Sequence, residues 1–301
     1  MIERMILLCL VAAMGVLMVG CAGKPERESE APTERQSLDR SARLAFVQRN
    51  YAQAATLYEA ALQSALNEDA PVAIIDARFN LALCQTYLGE HEAALQQVAQ
   101  ADAERQRRGL GADPDLRLLA GTIRYRAGQS DEALVLLNQV IKGPAADSST
   151  RAKAHFVVGL IAADRSSVAA LRQQLAALST DPGSGARTDR LELQGRLAGL
   201  QGDIDVALLQ LDQVAESRRR ERDYRGMVRA LAEAGGIAER AGRPQLAGGY
   251  FLRAGRSALQ RAEPQAIDWL KHARHLAEQS GDQALKLEAE AAIRASQTDP
   301  G

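Results

Sequence analysis

The feature that most constrains the fold of this chain is a short alanine-containing phrase that recurs at nearly constant spacing. It has the form Ala-x-x-x-apolar-x-x-Ala, with some variation at the two later positions. Its first alanines, called anchors below, are Ala54, Ala94, Ala133, Ala170, Ala207 and Ala247, separated by 40, 39, 37, 37 and 40 residues. A steady period of this length indicates a repeat protein, in which each unit packs against its neighbours.

Each phrase predicts one helix that packs a single face against a partner helix. Offsets of four and seven residues from the anchor lie on one face of a helix. Five residues before the anchors stand the expected turn residues Arg49, Gly89, Gly128, Arg165, Gly202 and Gly242. Twelve residues before the anchors is a position, called the close-approach position, where a small residue lets two helices pack closely; it carries Ala42, Ala82, Gly121, Val158, Gly195 and Gly235.

The fourth unit fits this pattern least well. Val158 occupies its close-approach position and Gln174 an otherwise mostly apolar position, so Gly159 suggests that the register slips by one residue. Beyond Phe251 the register is ambiguous, and four helices are predicted at residues 223–241, 244–262, 264–280 and 283–296.

Composition and charge agree with a helical chain that does not bind nucleic acid. Only 4% of the 301 residues are aromatic, whereas alanine and leucine, which favour helices, recur throughout. The net charge of −1 predicts no general attraction to nucleic acid. The densest basic run, from Arg218 to Arg222, is interpreted as a solvated helix end or inter-repeat turn, with a polyanion-binding patch as the alternative.

The N-terminal residues contain an apolar run that ends at a cysteine. The run from Met5 to Val19 is too short to span a bilayer comfortably but fits a secretion signal. With Val19-Gly20-Cys21 at its end, it resembles the lipobox of bacterial lipoproteins, although Met18 stands where leucine is usual. The resemblance implies a signal peptide at residues 1–20, lipidation of Cys21 with acyl chains such as palmitate, and a disordered tether over 21–39. The alternatives are an uncleaved anchor or a cysteine placed there by chance.

The lipobox resemblance also implies a location. Ala22 rather than aspartate after Cys21 suggests the outer membrane, with the protein facing the periplasm. If the leader is removed and Cys21 is acylated, only Cys84 remains as a thiol, so no disulfide and no multi-cysteine metal site is expected.

The repeats resemble the tetratricopeptide family, most clearly in NYAQAATLYEAAL from Asn50 to Leu62 and in NLALCQTYLGEHEAAL from Asn80 to Leu95. The resemblance implies an all-α, right-handed superhelical solenoid of about six to seven helix-turn-helix units over residues 40–296, followed by a disordered tail at 297–301. The units are longer than the family's usual repeat of about 34 residues.

In that family the first helix of each unit lines a concave groove that binds protein partners. Carried over by register, the groove positions are Tyr87, Thr122, Tyr125, Arg126, His155, Glu192 and Arg196. The family's chaperone-binding members use a lysine and asparagine clamp for a terminal carboxylate, and only Asn80 matches it here. Trp269 is interpreted as core packing near the C-terminal cap, with an exposed binding anchor as the alternative.

The chain contains none of the common catalytic or nucleotide-binding motifs, so neither an enzyme nor a cofactor is expected. His272 and His275 share a helical face with Glu278, but a solvated face is a better interpretation than a metal site. The favoured function is a membrane-anchored scaffold or assembly factor with a protein or peptide partner in the cell envelope. The alternatives are a regulator of a peptidoglycan enzyme and, third, an enzyme with its site in the groove.

Overall fold

The computed structural model describes residues 33–178, 184–261, 263 and 265–298. Within these ranges the chain forms fourteen α-helices and no strand. The helices are α1 Glu34–Val47, α2 Tyr51–Asn67, α3 Pro71–Leu88, α4 His91–Arg107, α5 Pro114–Arg126, α6 Ser130–Lys142, α7 Ser148–Asp164, α8 Val168–Leu178, α9 Ser184–Gln201, α10 Ile204–Arg220, α11 Tyr224–Arg240, α12 Pro244–Leu259, α13 Ala266–Ser280 and α14 Gln283–Thr298.

Local sequence signals determine where these helices begin and end. Asn50, Asp113 and Asp147 each accept a hydrogen bond from a backbone N–H of the first turn, which satisfies a group that the helix leaves unpaired. Pro71 and Pro114 occupy first-turn positions, where the missing N–H costs nothing. The helices are in contact as the pairs α1–α2, α3–α4 and so on through α13–α14, one pair to each unit.

The core is a series of apolar clusters along the solenoid rather than a single centre. In the described part of the chain, buried side chains form four such clusters, the largest of which joins residues from α9 to α14. Each consecutive pair of helices is in contact, which is the nearest-neighbour packing expected of a repeat protein. The predicted all-α solenoid is confirmed.

The fourth unit follows the pattern one residue later than the alanine alignment placed it. The turn residue of the other units has a positive φ, for example 82° at Gly89, and in the fourth unit Ser166 rather than Arg165 has this geometry, with φ 55°. Leu171, five residues later, is fully buried, whereas Ala170 is only partly buried. The close-approach residue is therefore Gly159, as the suggested slip required.

A close helix contact explains why glycine is needed at position 159. A Cβ atom there would lie 2.3 Å from Cδ1 of the fully buried Leu193 on α9, so that either this side chain or the helices would have to shift. The glycine thus allows α7 to approach the first helix of the next unit directly.

The ends of the repeat region differ from the predicted boundaries. Helix α1 begins at Glu34, because Thr33 and Gln36 form a reciprocal capping box, so residues 34–39 are helical rather than part of a disordered tether. Helix α14 ends at Thr298, within the predicted tail. The predicted signal peptide at 1–20 and Cys21 lie outside the described residues. None of the helices described is long and apolar enough to cross a bilayer.

The solenoid curls until its sixth unit touches its first two. Arg225 on α11 donates hydrogen bonds to the carbonyl oxygens of Tyr87 and, at 3.4 Å, Thr86 at the end of α3. The guanidinium carbon of Arg49 lies 4.6 Å from the centre of the Tyr224 ring. These contacts are called the seam, which consists of Arg49, Thr86, Tyr87, Tyr224 and Arg225. The seam closes the concave face into a ring.

Candidate functional site

The inner faces of the first helices of units two to six enclose a cavity of about 370 Å³. Helices α3, α5, α7, α9 and α11 contribute its walls, together with the end of α10 and the N-cap of α11. Its volume lies at the lower end of the range of about 300–1,000 Å³ that is typical of small-molecule and cofactor sites. The seam lies beside it, since Tyr87 belongs both to the seam and to the cavity wall.

Helical register explains which side chains face the cavity. The wall residues recur at fixed distances from the close-approach position. Three residues before that position stand Phe79, Leu118 and Phe156, and one residue after it stand Leu83, Thr122 and Leu160. Six residues before it stand Asp115, Lys153, Asp189 and Arg229. These offsets share one face of a helix, so the same stripe of each first helix points inward.

Four of the seven predicted groove residues line this cavity. Tyr87 comes from α3, and Thr122, Tyr125 and Arg126 come from the C-terminal half of α5. The structure therefore brings together predicted residues from two units. Contact between these residues and a partner stays a prediction.

His155, Glu192 and Arg196 do not line the cavity. The Nδ1 atom of His155 lies 2.7 Å from Oε1 of Gln174 on α8. The alanine spacing placed the register of this unit one residue too early, so Phe156 rather than His155 takes the cavity position. Glu192 is fully buried and Arg196 is 5% exposed, since neighbouring charged side chains cover both. The structure therefore does not bring these three predicted residues to the cavity, and their contact with a partner stays a prediction.

The carboxylate of Glu192 is held by two arginines behind the cavity wall. Arg229 contacts it through both ends of its guanidinium, with Nε 2.6 Å from Oε1 and Nη2 2.8 Å from Oε2. Arg218 lies 3.4 Å from Oε2. Burial alone would raise the pKa of Glu192, but these positive charges and hydrogen bonds lower it to about 2. Glu192 is therefore ionised and acts as the centre of a buried ionic network.

Arg218 extends this network to the other acidic groups of the wall. Its guanidinium pairs with Asp189 and lies 3.2 Å from Oδ2 of Asp223. Lys153 completes the set, with Nζ 2.7 Å from the other oxygen of Asp189. The interpretation of the basic run as a solvated helix end was thus wrong for Arg218, which is 5% exposed. Only the pairing with acids on other helices distinguishes this arginine from its exposed neighbours.

A second group of charges surrounds Arg196. Its Nη1 atom lies 3.0 Å from Asp164 and 2.9 Å from Glu233. The hydroxyl of Tyr125 donates to the remaining oxygen of Asp164 at 2.7 Å. Burial and the Asp164 charge raise the pKa of Tyr125, so its hydroxyl stays protonated and can act as a donor. Arg196 thus positions a wall residue indirectly.

Arg126, the last residue of α5, differs from the other cations of the wall. In the described part of the chain no carboxylate lies within 4 Å of its guanidinium, and its side chain makes no hydrogen bond there. Its guanidinium carbon lies 5.4 Å from the centre of the Tyr87 ring. Burial lowers its pKa, and the nearby Arg225 and Arg229 act in the same direction.

The two histidines at the C-terminal end each contact a different side chain. His272 contacts Glu239 at 2.8 Å, His275 contacts Gln279, and Glu278 pairs with Lys286 at 3.0 Å. No cluster of three metal-binding side chains occurs among the residues that the structure describes. Trp269 is partly buried and packs against the C-terminal core cluster, as the core interpretation expected.

The sequence matches no protein-family model and no curated protein, but solved structures share its fold. The Rap conjugation gene regulator of plasmid pLS20, solved with the Phr* peptide, superposes with a TM-score of 0.56 at 14% identity over 87% of this chain and 80% of its own. The quorum sensor NprR of B. thuringiensis gives a TM-score of 0.52 at 9% identity over 88% of this chain and 82% of its own.

A signal-transduction ATPase of Pyrococcus horikoshii with a tetratricopeptide repeat sensor gives a TM-score of 0.50 at 14% identity, over 88% of this chain and 42% of its own. At these identities the likeness concerns the fold alone. The chain therefore has the fold of a tetratricopeptide-repeat solenoid, as its repeats predicted.

Proposed function

We propose that the chain is a lipid-anchored periplasmic lipoprotein that binds a protein or peptide segment in its inner cavity and acts as a scaffold or assembly factor of a cell-envelope complex. The observation that carries this proposal is the composition of the cavity wall. Aromatic and aliphatic side chains such as Phe79 and Leu118 stand beside the polar groups of Thr122 and Tyr125. A concavity that combines apolar surface with placed polar and charged groups suits a peptide segment or a small ligand.

Two further features support a binding role. The seam holds the concave face in a closed form. Binding would therefore cost less conformational entropy than if the ligand had to order the protein. The Rap regulator, which shares the fold, has been solved with a peptide bound. A peptide is accordingly the first ligand to test here.

The membrane location in this proposal rests on the sequence around Cys21. Removal of residues 1–20 would leave Cys21 at the N-terminus, where several acyl chains would anchor the protein stably. Twelve residues, from 22 to 33, would then connect the lipid to α1. At a reach of at most about 3.3–3.6 Å per residue, they would allow the cavity to work some distance from the membrane surface.

The proposal is tested by affinity capture of the full chain from its own membranes, with Thr122→Trp as the variant that fills the cavity. Thr56→Trp is the matched control, because Thr56 is exposed on the outer face and bonds to its own helix backbone, as Thr122 does. We expect wild type and Thr56→Trp to capture the same envelope protein and Thr122→Trp to lose it. Equal capture by all three would contradict a role for the cavity.

The anchor is tested separately with Cys21→Ala. We expect this variant to leave the membrane fraction while still capturing the partner from detergent extract. Retention of the unlipidated variant in the membrane would show that Cys21 is not the anchor, and it would leave the outcome at the cavity unaffected.

A further inference from the structure

Arg126 is the one cation of the cavity wall that forms no ion pair within 4 Å in the described part of the protein; the Asp223 charge acts on it only from a greater distance. Lys153 pairs with Asp189, Arg218 with Asp189 and Asp223, and Arg229 with Glu192. Arg126 has only the face of the Tyr87 ring beside it. An arginine that serves the fold normally has its donors satisfied when it leaves bulk water.

Arg126 is partly buried and carries its charge without an ion pair. Burial lowers its pKa, and the positive charges of Arg225 and Arg229 act in the same direction. The Tyr87 ring, which stacks on Tyr51 with ring centres 4.4 Å apart, holds one side of the guanidinium in place. The donors of the guanidinium remain available to a group inside the cavity. Charged groups left without a partner in this way occur mainly at functional sites.

We propose that the cavity binds a ligand with a single carboxylate, which pairs with Arg126, and an apolar body, which packs against the wall formed by Leu83, Leu118 and Phe156. This inference rests on the proposed binding function and names the chemistry of the ligand. The planar guanidinium fork fits a carboxylate through two parallel hydrogen bonds.

The remaining charges of the wall favour a ligand with one negative charge, because Lys153, Arg218 and Arg229 already have carboxylate partners. Asp115, Asp189 and Asp223 also line the cavity, and like charges placed close together are strongly unfavourable. A phosphate dianion or a strongly acidic peptide would meet these carboxylates. A monocarboxylate can reach Arg126 and direct its apolar part elsewhere.

The volume of the cavity further restricts the ligand. About 370 Å³ accommodates a small apolar acid or the last one or two residues of a peptide with its free terminal carboxylate. Both sources present the same chemistry to Arg126, and the binding experiment below distinguishes them.

The first test compares the thermal stability of Arg126→Met with that of Arg229→Met, its matched control on the same wall. If Arg126 waits for a ligand, removing its uncompensated charge leaves the Tm of the ligand-free protein unchanged or raises it. Arg229→Met lowers the Tm by several degrees, because it leaves Glu192 buried without its main partner. A fall in Tm for Arg126→Met as large as that for Arg229→Met would show that Arg126 serves the fold and would overturn the proposal.

The second test measures binding of 3-phenylpropanoate, an aromatic monocarboxylate, and of the neutral 3-phenylpropanamide by calorimetry at millimolar concentration. We expect the acid to bind wild type at least about tenfold more tightly than the amide, and Arg126→Met to lose this preference. Absence of binding by the acid, or equal binding of acid and amide, would overturn the proposal. Circular dichroism verifies that the variant is folded.

A third probe identifies the source of the carboxylate. N-acetyl-Ala-Ala-Phe with a free C-terminus binds more tightly than 3-phenylpropanoate if the natural ligand is a peptide end, and more weakly if it is a small acid. Both results support the carboxylate site. If acid binding depends on Arg126 while Thr122→Trp still captures the same envelope protein, the proposed function fails and the ligand site stands.

Discussion

The cavity has an apolar wall and an ionic wall, and one position of the repeat lines the first and lies behind the second. Three residues before the close-approach position, units two, three and four carry Phe79, Leu118 and Phe156, whereas unit five carries Glu192. The first wall is apolar and is stabilised by burial. The second is an ionic network whose central carboxylate is fully buried. Register therefore determines where a side chain points, and the side chain's identity determines the chemistry of the wall.

The two walls meet at Phe156. The guanidinium carbons of Arg218 and Arg229 lie 5.7 and 5.4 Å from the centre of its ring. This cation–π geometry, within about 6 Å, lets an apolar wall contact charged residues favourably. The contrast between the walls predicts different responses to substitution, and the following experiments test it.

The largest effect is expected at the centre of the ionic wall. Glu192→Gln leaves Arg229 without its buried counter-charge and removes one of the partners of Arg218, so we expect the free energy of unfolding to fall by about 3–5 kcal/mol. Chemical denaturation measures this change. The double variant Glu192→Leu with Arg229→Met should recover much of the loss, because it removes both charges together.

The control for this prediction is Glu68→Gln, which removes an exposed carboxylate that pairs with Arg35. It should leave stability almost unchanged, since exposed ion pairs contribute little. A small effect of Glu192→Gln, similar to that of the control, would mean that the buried ion pairs of the ionic wall contribute no more to stability than an exposed pair.

The pH dependence of stability gives the next effect. The pKa of Glu192 is about 2 in the folded protein, below its ordinary value of 4.5, because the arginine charges and hydrogen bonds outweigh the burial that would raise it. Its ionised form therefore stabilises the protein fully above about pH 4.5, and this contribution is lost as the pH falls toward 2. Wild type should lose more stability than Glu192→Gln between pH 4.5 and pH 2 in denaturation series. Parallel curves for the two proteins would contradict the assignment.

The apolar wall depends on the close approach of α7 to α9 that Gly159 allows. Gly159→Ala places a Cβ atom against Leu193, so we expect a loss of about 1–3 kcal/mol in the free energy of unfolding. Gly249→Ala is the matched control, because a Cβ atom there meets nothing within 4 Å and alanine favours the helix by up to about 1 kcal/mol. Thermal and denaturant melts should move in opposite directions for the two variants. Equal gains would show that α7 and α9 are farther apart than the structure indicates.

The smallest change in stability is expected at the seam that brings the walls together. Arg225→Met removes the contacts to Thr86 and Tyr87 and the pair with Glu263 at 2.6 Å, yet it leaves the packing within units intact. We expect a loss of about 1 kcal/mol or less, together with a larger radius of gyration by small-angle scattering.

Arg253→Met is the matched control for the seam. Arg253 also pairs with a carboxylate, that of Asp212, at 2.9 Å. Its guanidinium carbon lies 5.4 Å from the ring centre of Tyr250 on the same helix. The ion pair of Arg253 joins neighbouring units, whereas the contacts of the seam join distant ones. It should leave the radius of gyration unchanged. An unchanged radius for Arg225→Met as well would show that the ring closes without the seam.

The fold was predictable from the sequence to the level of single helices, because the signals for it are local. Anchors, turn residues and close-approach residues lie within about twelve positions of one another and act through the packing of one helix pair. The four C-terminal helices were predicted within four residues of their observed ends. The site was predicted only in part. His155 was misplaced because the alignment followed alanines, whereas Gly159 and Ser166 determine the register of that unit.

By itself the sequence determined the helix pairs, their order and the stripe of each first helix that faces inward, since each depends on residues within one unit. Only the tertiary structure decided that Arg225 meets Tyr87, that Glu192 is covered by Arg229, and that Arg126 forms no ion pair among the described residues. The physical reason is that these contacts join different units, and Arg225 and Tyr87 stand 138 residues apart in the chain. They depend on the sum of small rotations between successive repeats, and no local pattern of residues records that sum.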